Sequence, residues 1–489
     1  MAIALDTFFL KPDATGSLQA QVQELVAEGI LSGRFKQGEK LPSSRKLAQH
    51  LGVSRITVTL AFTELVANDY LSSRGRSGYF VSDSAPVPPA YTPRPTRGPV
   101  KDWGQAIARD FTGGDTPRRP QNWREYQYTF IYGQADPSLF DHTNWRQCAL
   151  RALGARDFAA LANDQYDNDD PLLVEYIARH SLPRRGVIAR PEEILITMGA
   201  QNALWLTAQV LLSSGRKATV EDPTYYTLRD QLMRTGCDLN MVPIDQDGLP
   251  PDRISANTDV IFVTPSHHSP TTVNMPHGRR QALLERAEQI DAVVVEDDYE
   301  FEMSFLRAPA PALKSLDSEG RVIYVGSFSK SLFPGLRLGY LVGPEPFIRQ
   351  ARALRASVLR HPPGHIQRTV AYFLSLGHYD AQIRRIAQVL HDRRTELDAA
   401  IATNGLTIAG GGLYGGSALW MQAPEQVDMA QVAADLLPKS VLIEPGAPFF
   451  APENRRHNFY RIGYSSIESN RIGPGMALLA EVLNQRAQQ

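Results

Sequence analysis

Between Ser84 and Pro99 the chain carries prolines at 86, 88, 89, 93, 95 and 99. Proline locks φ and lacks a backbone donor, so neither a helix nor a central strand can run through this stretch. The chain is therefore expected to fold as two modules, residues 1–83 and 125–489, joined over 84–124 by a semi-rigid extended linker. With 489 residues in all, the second module is long enough for a large core of its own.

The first module has the punctuation of a small helical domain. Leu18, Val22, Leu25, Val26 and Ile30 recur at helical spacing, and Gly33 follows as a stop. Pro42-Ser43-Ser44 can cap a second helix through Leu47, Ala48 and Leu51. Gly52-Val53-Ser54 then reads as a tight turn with a serine cap for a third helix, Arg55 to Ala67, whose apolar face is Val58, Phe62, Leu65 and Val66. Helix, glycine turn, helix is the helix-turn-helix arrangement. Beyond it, Tyr70 to Val81 reads as a β-hairpin wing with its basic glycine tip at Arg74-Gly75-Arg76.

Global charge does not point to nucleic acid, because 51 basic residues face 52 acidic ones. The local balance does. Between Arg34 and Arg76 stand Arg34, Lys36, Lys40, Arg45, Lys46, Arg55, Arg74 and Arg76 against only Glu39, Glu64 and Asp69, which favours a small DNA-binding surface. No apolar run approaches a membrane span, and Cys148 and Cys237 are too few for a disulfide framework or a zinc site, so a cytosolic protein with no membrane partner and no metal is expected.

In the second module, apolar runs at Ile194 to Thr197, Val260 to Val263 and Ala292 to Val295 alternate with long amphipathic stretches. That alternation predicts an α/β fold with a mostly parallel central sheet covered by helices. Another short strand, Val322 to Val325, runs into Gly326-Ser327-Phe328-Ser329-Lys330, with Arg337 seven positions on. Upstream, Glu296-Asp297-Asp298-Tyr299 ends a strand in carboxylates and a phenol. A lysine amine, small hydroxyls, a planar cation and a carboxylate are what pyridoxal phosphate needs for its Schiff base, its phosphate and its pyridinium nitrogen. Thr197-Met198-Gly199-Ala200-Gln201 follows a strand and opens a helix, a ready cradle for the phosphate.

These segments resemble fold-type I aminotransferases, and together with the winged helix they resemble the MocR branch of the GntR regulators over nearly the whole chain. The resemblance implies an N-terminal GntR-type winged helix-turn-helix and a large fold-type I aminotransferase-like domain. It places Arg45, Ser54, Arg55, Thr57, Gly75 and Arg76 at DNA. It gives Lys330 the imine, Asp297 the pyridine nitrogen in preference to Asp298, Tyr299 the ring hydroxyl and Tyr225 the ring face. The phosphate falls to Gly199, Ala200, Gln201, Ser327, Ser329 and Arg337, with Tyr166 reaching it from the partner in a head-to-tail homodimer. Arg461 matches the residue that grips a ligand's acidic end, the role favoured here, while a strand arginine can also serve a structural ion pair. The chain departs from catalytic aminotransferases in the run Thr264 to Thr272. Ser269 stands where they have asparagine, Thr272 where they have glycine, and His267 becomes a candidate for another polar role near the ring.

The resemblance therefore implies a regulator that binds operator DNA and senses a small amine, amino acid or amino-sulfonate by external aldimine formation, with no catalytic residue assigned and some residual transaminase activity possible. Its phrasing is similar to regulators of taurine or ectoine utilisation, which points to an amino-sulfonate or a diamino acid. Two other readings stay open: an active aminotransferase carrying a DNA-binding domain, and a regulator of vitamin B6 synthesis whose effector is pyridoxal phosphate itself.

Overall fold

The computed structural model describes residues 3–10, 16–86, 101–112, 119–134 and 136–488, apart from the side chain of Arg76. The proline run from residue 88 onward lies outside the described residues, as does the stretch 113–118 of the expected linker. The described parts of that linker contain a helical turn at Trp103–Ala106 and another at Trp123–Glu125. The chain divides into two compact units, Met1–Arg109 and Asp110–Gln489.

In the first unit, serines start all three helices. Ser17 caps α1 (Leu18–Leu31), Ser43 caps α2 (Ser44–Leu51) and Ser54 caps α3 (Arg55–Ala67), each hydroxyl accepting from the N–H three residues on. Such caps are worth about 1 kcal/mol each. Gly52, at φ +67°, ends α2 in the left-handed conformation that lets α3 leave at a steep angle. The helices bury Val26, Ile30, Leu47, Val58, Phe62 and Leu65 in one cluster, each side chain contributing about 1.5–3 kcal/mol. Leu18 stays half exposed, because it occupies the first turn of α1. A Cβ on Gly29 would lie 2.1 Å from the Phe35 ring, so glycine there lets Phe35 pack against α1. The wing, β1 (Leu71–Ser73) and β2 (Tyr79–Val81), closes the cluster with Leu71 opposite Val81.

In the second unit a short strand, β3 (Tyr128–Thr129), precedes a seven-stranded sheet. Its members are β4 (Ile194–Thr197), β5 (Lys217–Asp222), β6 (Asp238–Pro243), β7 (Val260–Val263), β8 (Val293–Asp297), β9 (Val322–Ser327) and β10 (Gly339–Val342). The order is β4-β10-β9-β8-β7-β5-β6, and only β10 runs antiparallel to its neighbours. The strands β4, β7 and β9 are buried along their whole length, as strands covered on both faces must be. Because β4, β5, β7, β8 and β9 point the same way, their carboxyl ends share one edge, where doubly wound sheets bind ligands. A smaller antiparallel sheet joins β11 (Thr407–Ile408), β12 (Ala418–Gln422), β14 (Glu444–Pro445) and β15 (Phe459–Gly463), while β13 (Val441–Leu442) pairs with β3. No helix among the described residues is long and apolar enough to cross a membrane.

Candidate functional site

A cavity of about 1300 Å³ opens at the carboxyl edge of the large sheet. Its wall includes Asp297 from the end of β8, Ser327 from the end of β9, and Ser329, Lys330 and Arg337 from the loop that follows. Ala200 and Gln201, which begin the helix after β4, line it too, as do Tyr225, Ser269, Tyr299 and Arg461. Segments that the sequence scatters over more than half its length are thus gathered by the common direction of the strands.

Three adjacent carboxylates end β8, and the fold sorts them. Glu296 accepts the backbone N–H groups of Leu313 and Lys314 at 2.7 and 2.8 Å. Asp298 is locked by the buried Arg185 at 2.6 Å and by the Tyr324 hydroxyl at 2.8 Å. Asp297 alone keeps a buried oxygen, Oδ1, with no partner, and the residue lines the cavity. Burial, reinforced by Asp298 and Glu221, pushes the Asp297 carboxyl up to about 8. A carboxyl so placed is ready for a cationic ring nitrogen.

The anion cradle is equally incomplete by itself. Gly199 caps its helix at φ +84°, and a Cβ there would lie 3.5 Å from Ser329 Oγ and 3.6 Å from the Arg337 guanidinium carbon. Ser329 Oγ is buried without a partner, and Arg337 makes no ion pair among the described residues. Ser327 Oγ accepts the Ser329 N–H at 3.2 Å. A helix N-terminus, an unsatisfied hydroxyl and an unpaired guanidinium converging on one point suit a phosphate. Together with Asp297 and Lys330, these residues fit pyridoxal phosphate.

The Lys330 amine lies 3.8 Å from the centre of the Tyr132 ring. A Cβ on Gly133 would come within 2.9 Å of Nζ, so the glycine leaves the amine its space. Burial pushes the amine down to about 8, with Arg461 acting in the same direction and Glu300 opposing. Arg461 holds its guanidinium carbon 3.8 Å from the centre of the same Tyr132 ring and 4.7 Å from that of Phe449, and its Nε donates to Glu444 at 2.6 Å. Ligand clamp and structural ion pair, left as alternatives by the sequence, are thus both available to this one side chain.

His267 does not line the cavity. It lies behind the wall with Nε2 3.2 Å from Glu300, its ring edge-on to Tyr299, and burial holds it below the usual imidazole range. Glu300 also accepts from the hydroxyls of Tyr132 and Ser417. Tyr166 stands away from the cavity, 45% exposed, with the Arg360 guanidinium 5.3 Å over its ring. Thr272 takes the left-handed backbone conformation that favours glycine, φ +59°, and its buried hydroxyl has no partner. A β-branched residue is strained there. Thr272→Gly is expected to stabilise the protein by about 1 kcal/mol, read as a higher midpoint in chemical denaturation.

Sequence reasoning did not single out Tyr132, Glu300 or Glu444. Glu300 directly follows the Asp-Asp-Tyr run, a signal that was at hand. Glu444 could be found only by knowing that β14 pairs with β15 in the register Glu444 to Arg461.

In the first unit, Arg45 and Arg55 are exposed and make no ion pair among the described residues. Ser54 Oγ lies 2.8 Å from the Thr57 hydroxyl, so capping α3 occupies both. Gly75 sits at the tip of the wing at φ +53°, and Arg74 stacks over Phe80 at 4.7 Å. Arg76 lies beside Gly75, its side chain outside the described residues. Also exposed on α3, and not anticipated, are Ile56 and Leu60.

The gntR family model of bacterial regulatory proteins matches residues 18–81, and the aminotransferase class I and II model matches residues 143–472. The HTH-type transcriptional regulator TauR of Rhodobacter capsulatus is 56% identical over 99% of this chain and 100% of its own length. The probable rhizopine catabolism regulatory protein MocR of Rhizobium meliloti is 31% identical over 79% of this chain and 77% of its own. Among solved structures, LysN, an α-aminoadipate aminotransferase from Thermus thermophilus, complexed with N-(5′-phosphopyridoxyl)-L-leucine, is 26% identical with a TM-score of 0.69, over 79% of this chain and all of that one. An archaeal alanine:glyoxylate aminotransferase shares the fold at a TM-score of 0.69 and 24% identity, over 73% of this chain and 91% of that one.

Proposed function

The chain belongs to the GntR family of transcriptional regulators, in its MocR-like branch with an aminotransferase-like domain, and from that premise we propose that this domain holds pyridoxal phosphate and senses a small primary amine. The observation that carries the reading is a pair of buried atoms without partners, Asp297 Oδ1 and Ser329 Oγ, in the cavity that holds Lys330. When bound, the cofactor supplies an aldehyde that condenses with primary amines. Lys330, neutral above about pH 8, is the resident amine that an incoming one displaces. Asp297 holds the proton on the pyridine nitrogen, Tyr299 bonds the ring hydroxyl and Tyr225 covers the ring. The backbone at Gly199, Ala200 and Gln201, with Ser327, Ser329 and Arg337, holds the phosphate. Arg461 takes the ligand's anionic end, Ser269 lies beside the ring, and His267 acts through Tyr299 and Glu300. Tyr166, exposed in its own chain, serves the phosphate of a second copy in a head-to-tail homodimer. The regulator acts in the bacterial cytoplasm, where its operator is.

Sensing rather than turnover is favoured by Ser269, which removes the asparagine of the catalytic enzymes from beside the ring. The test is to titrate purified protein with amines, amino acids and amino-sulfonates while following the bound cofactor's absorption and operator binding. The effective amine is expected to change both and to be recovered unchanged. Keto product at roughly 1 per second or faster would overturn the sensor reading. A ligand shifts DNA binding only through its different affinity for two arrangements of the protein, so a ligand that alters the spectrum alone would also count against it.

DNA affinity is expected to fall steeply with salt, because a local basic patch on a nearly neutral chain binds by releasing counterions. Arg55→Ala should weaken specific binding by about 1–3 kcal/mol if Arg55 reads a base, with the cofactor spectrum unchanged. Equal loss on specific and random DNA would make Arg55 a phosphate contact.

A further inference from the structure

The geometry points to Glu444 as the residue that limits this site to ligands with one anionic group, an inference that rests on the sensor reading above. Glu444 lines the same cavity as Lys330 and Arg461. Its carboxylate takes the Nε edge of Arg461 at 2.6 Å, and both side chains are largely buried, at 16% and 6% exposure. The cross-strand register of β14 and β15 sets them opposite one another. The Tyr132 and Phe449 rings both pack against the guanidinium, their centres 3.8 and 4.7 Å from its carbon, and favour its place beside Glu444.

An arginine left unpaired in a ligand pocket presents a full positive charge. Here Glu444 offsets that charge, so the Arg461–Glu444 pair is neutral overall and presents no net positive charge to a ligand. A guanidinium carries five N–H donors in a planar fork, so the terminal nitrogens can still grip one sulfonate or carboxylate while Nε stays with Glu444. A ligand with a second carboxylate would bring a second negative charge to a cavity wall that already holds the Glu444 carboxylate, beside an arginine whose charge Glu444 offsets. Like charges brought together out of water are a strong means of rejection. A ligand with a second ammonium, by contrast, finds a counter-charge in Glu444. The site is therefore selective for amino-sulfonates, monocarboxylic amino acids and diamino acids, and it rejects dicarboxylic ones.

The experiment uses full-length protein loaded with pyridoxal phosphate, and it compares wild type, Glu444→Gln and Glu444→Asp. Half-saturation is read from the cofactor's absorption for taurine, β-alanine, 2,4-diaminobutyrate, L-aspartate and L-glutamate, with thermal melting to confirm that each variant is folded. In wild type, the dicarboxylates should need at least about tenfold more ligand than the best monoanionic amine. Glu444→Gln should shrink that ratio about tenfold or more, and Glu444→Asp, which keeps the charge, should preserve most of it. A ratio that is the same in wild type and folded Glu444→Gln, or a wild type that takes aspartate as readily as taurine, overturns the role of Glu444. If no amine moves the absorption of loaded wild type, the sensor reading itself falls, an outcome distinguishable from the first two because discrimination is then absent altogether.

Discussion

Lys330→Ala protein, exposed to pyridoxal phosphate and reduced with borohydride, is expected to gain no cofactor mass, where wild type gains one cofactor per chain. Lys330 is the one lysine among the described residues that lines the cavity, and it stands there with its amine pushed down to about 8. At that value a useful fraction of the amine is neutral and nucleophilic in mildly basic solution, whereas an ordinary exposed lysine is almost wholly protonated. Covalent capture by wild type should therefore rise with pH with its midpoint near 8. The variant keeps Arg337, Ser329 and the Gly199 turn, so it should still bind the cofactor reversibly. Loss of the mass gain, loss of the spectral response to amines and loss of amine-dependent DNA binding should occur together. One stoichiometric adduct on Lys330→Ala would show that another residue holds the cofactor.

Arg185→Ala is expected to cost about 3–5 kcal/mol, more than other single changes discussed for this protein. The guanidinium is fully buried and is shared among Asp298, Ser266 Oγ and the Ala310 carbonyl. Removing it leaves Asp298 buried and uncompensated, two residues from Glu296 and next to Asp297. Chemical denaturation should show the loss. The double variant Arg185→Ala, Asp298→Asn should recover part of it, because much of the cost lies in the abandoned charge rather than in the missing contact. A single variant that unfolds at the wild-type midpoint would remove the ion pair from the account of how Asp297 is kept free.

The same pair shows where reading the sequence reached its limit. The helices and wing of the first unit were legible because their signals are local: apolar residues at helical spacing, a serine before the second and third helices, a glycine at the turn and a basic glycine tip in the hairpin. Four strands of the large sheet, β4, β7, β8 and β9, were legible as short contiguous apolar runs, whereas β5, β6 and β10 were not singled out. Asp297 and Asp298, however, are neighbours with the same chemistry, and only the family spacing favoured one of them. The physical reason for that choice is Arg185, which approaches Asp298 from a helical turn 113 positions away. Tyr132 and Glu444 were missed on the same ground, since each meets Lys330 or Arg461 through tertiary packing that leaves no periodic trace. Tyr166 was expected at the phosphate of a second copy of the chain, and within its own chain it stands exposed outside the cavity.

The binding cavity draws on Tyr132 before Lys330 and on Glu444 and Arg461 long after it, whereas the first unit is complete within Met1–Arg109. During synthesis from the N-terminus, at about 5–20 residues per second, the interval between residue 86 and residue 461 lasts roughly 20 to 75 seconds. For that time each new copy holds a finished helix-turn-helix unit while the cavity of its second unit still lacks the wall that Glu444 and Arg461 complete.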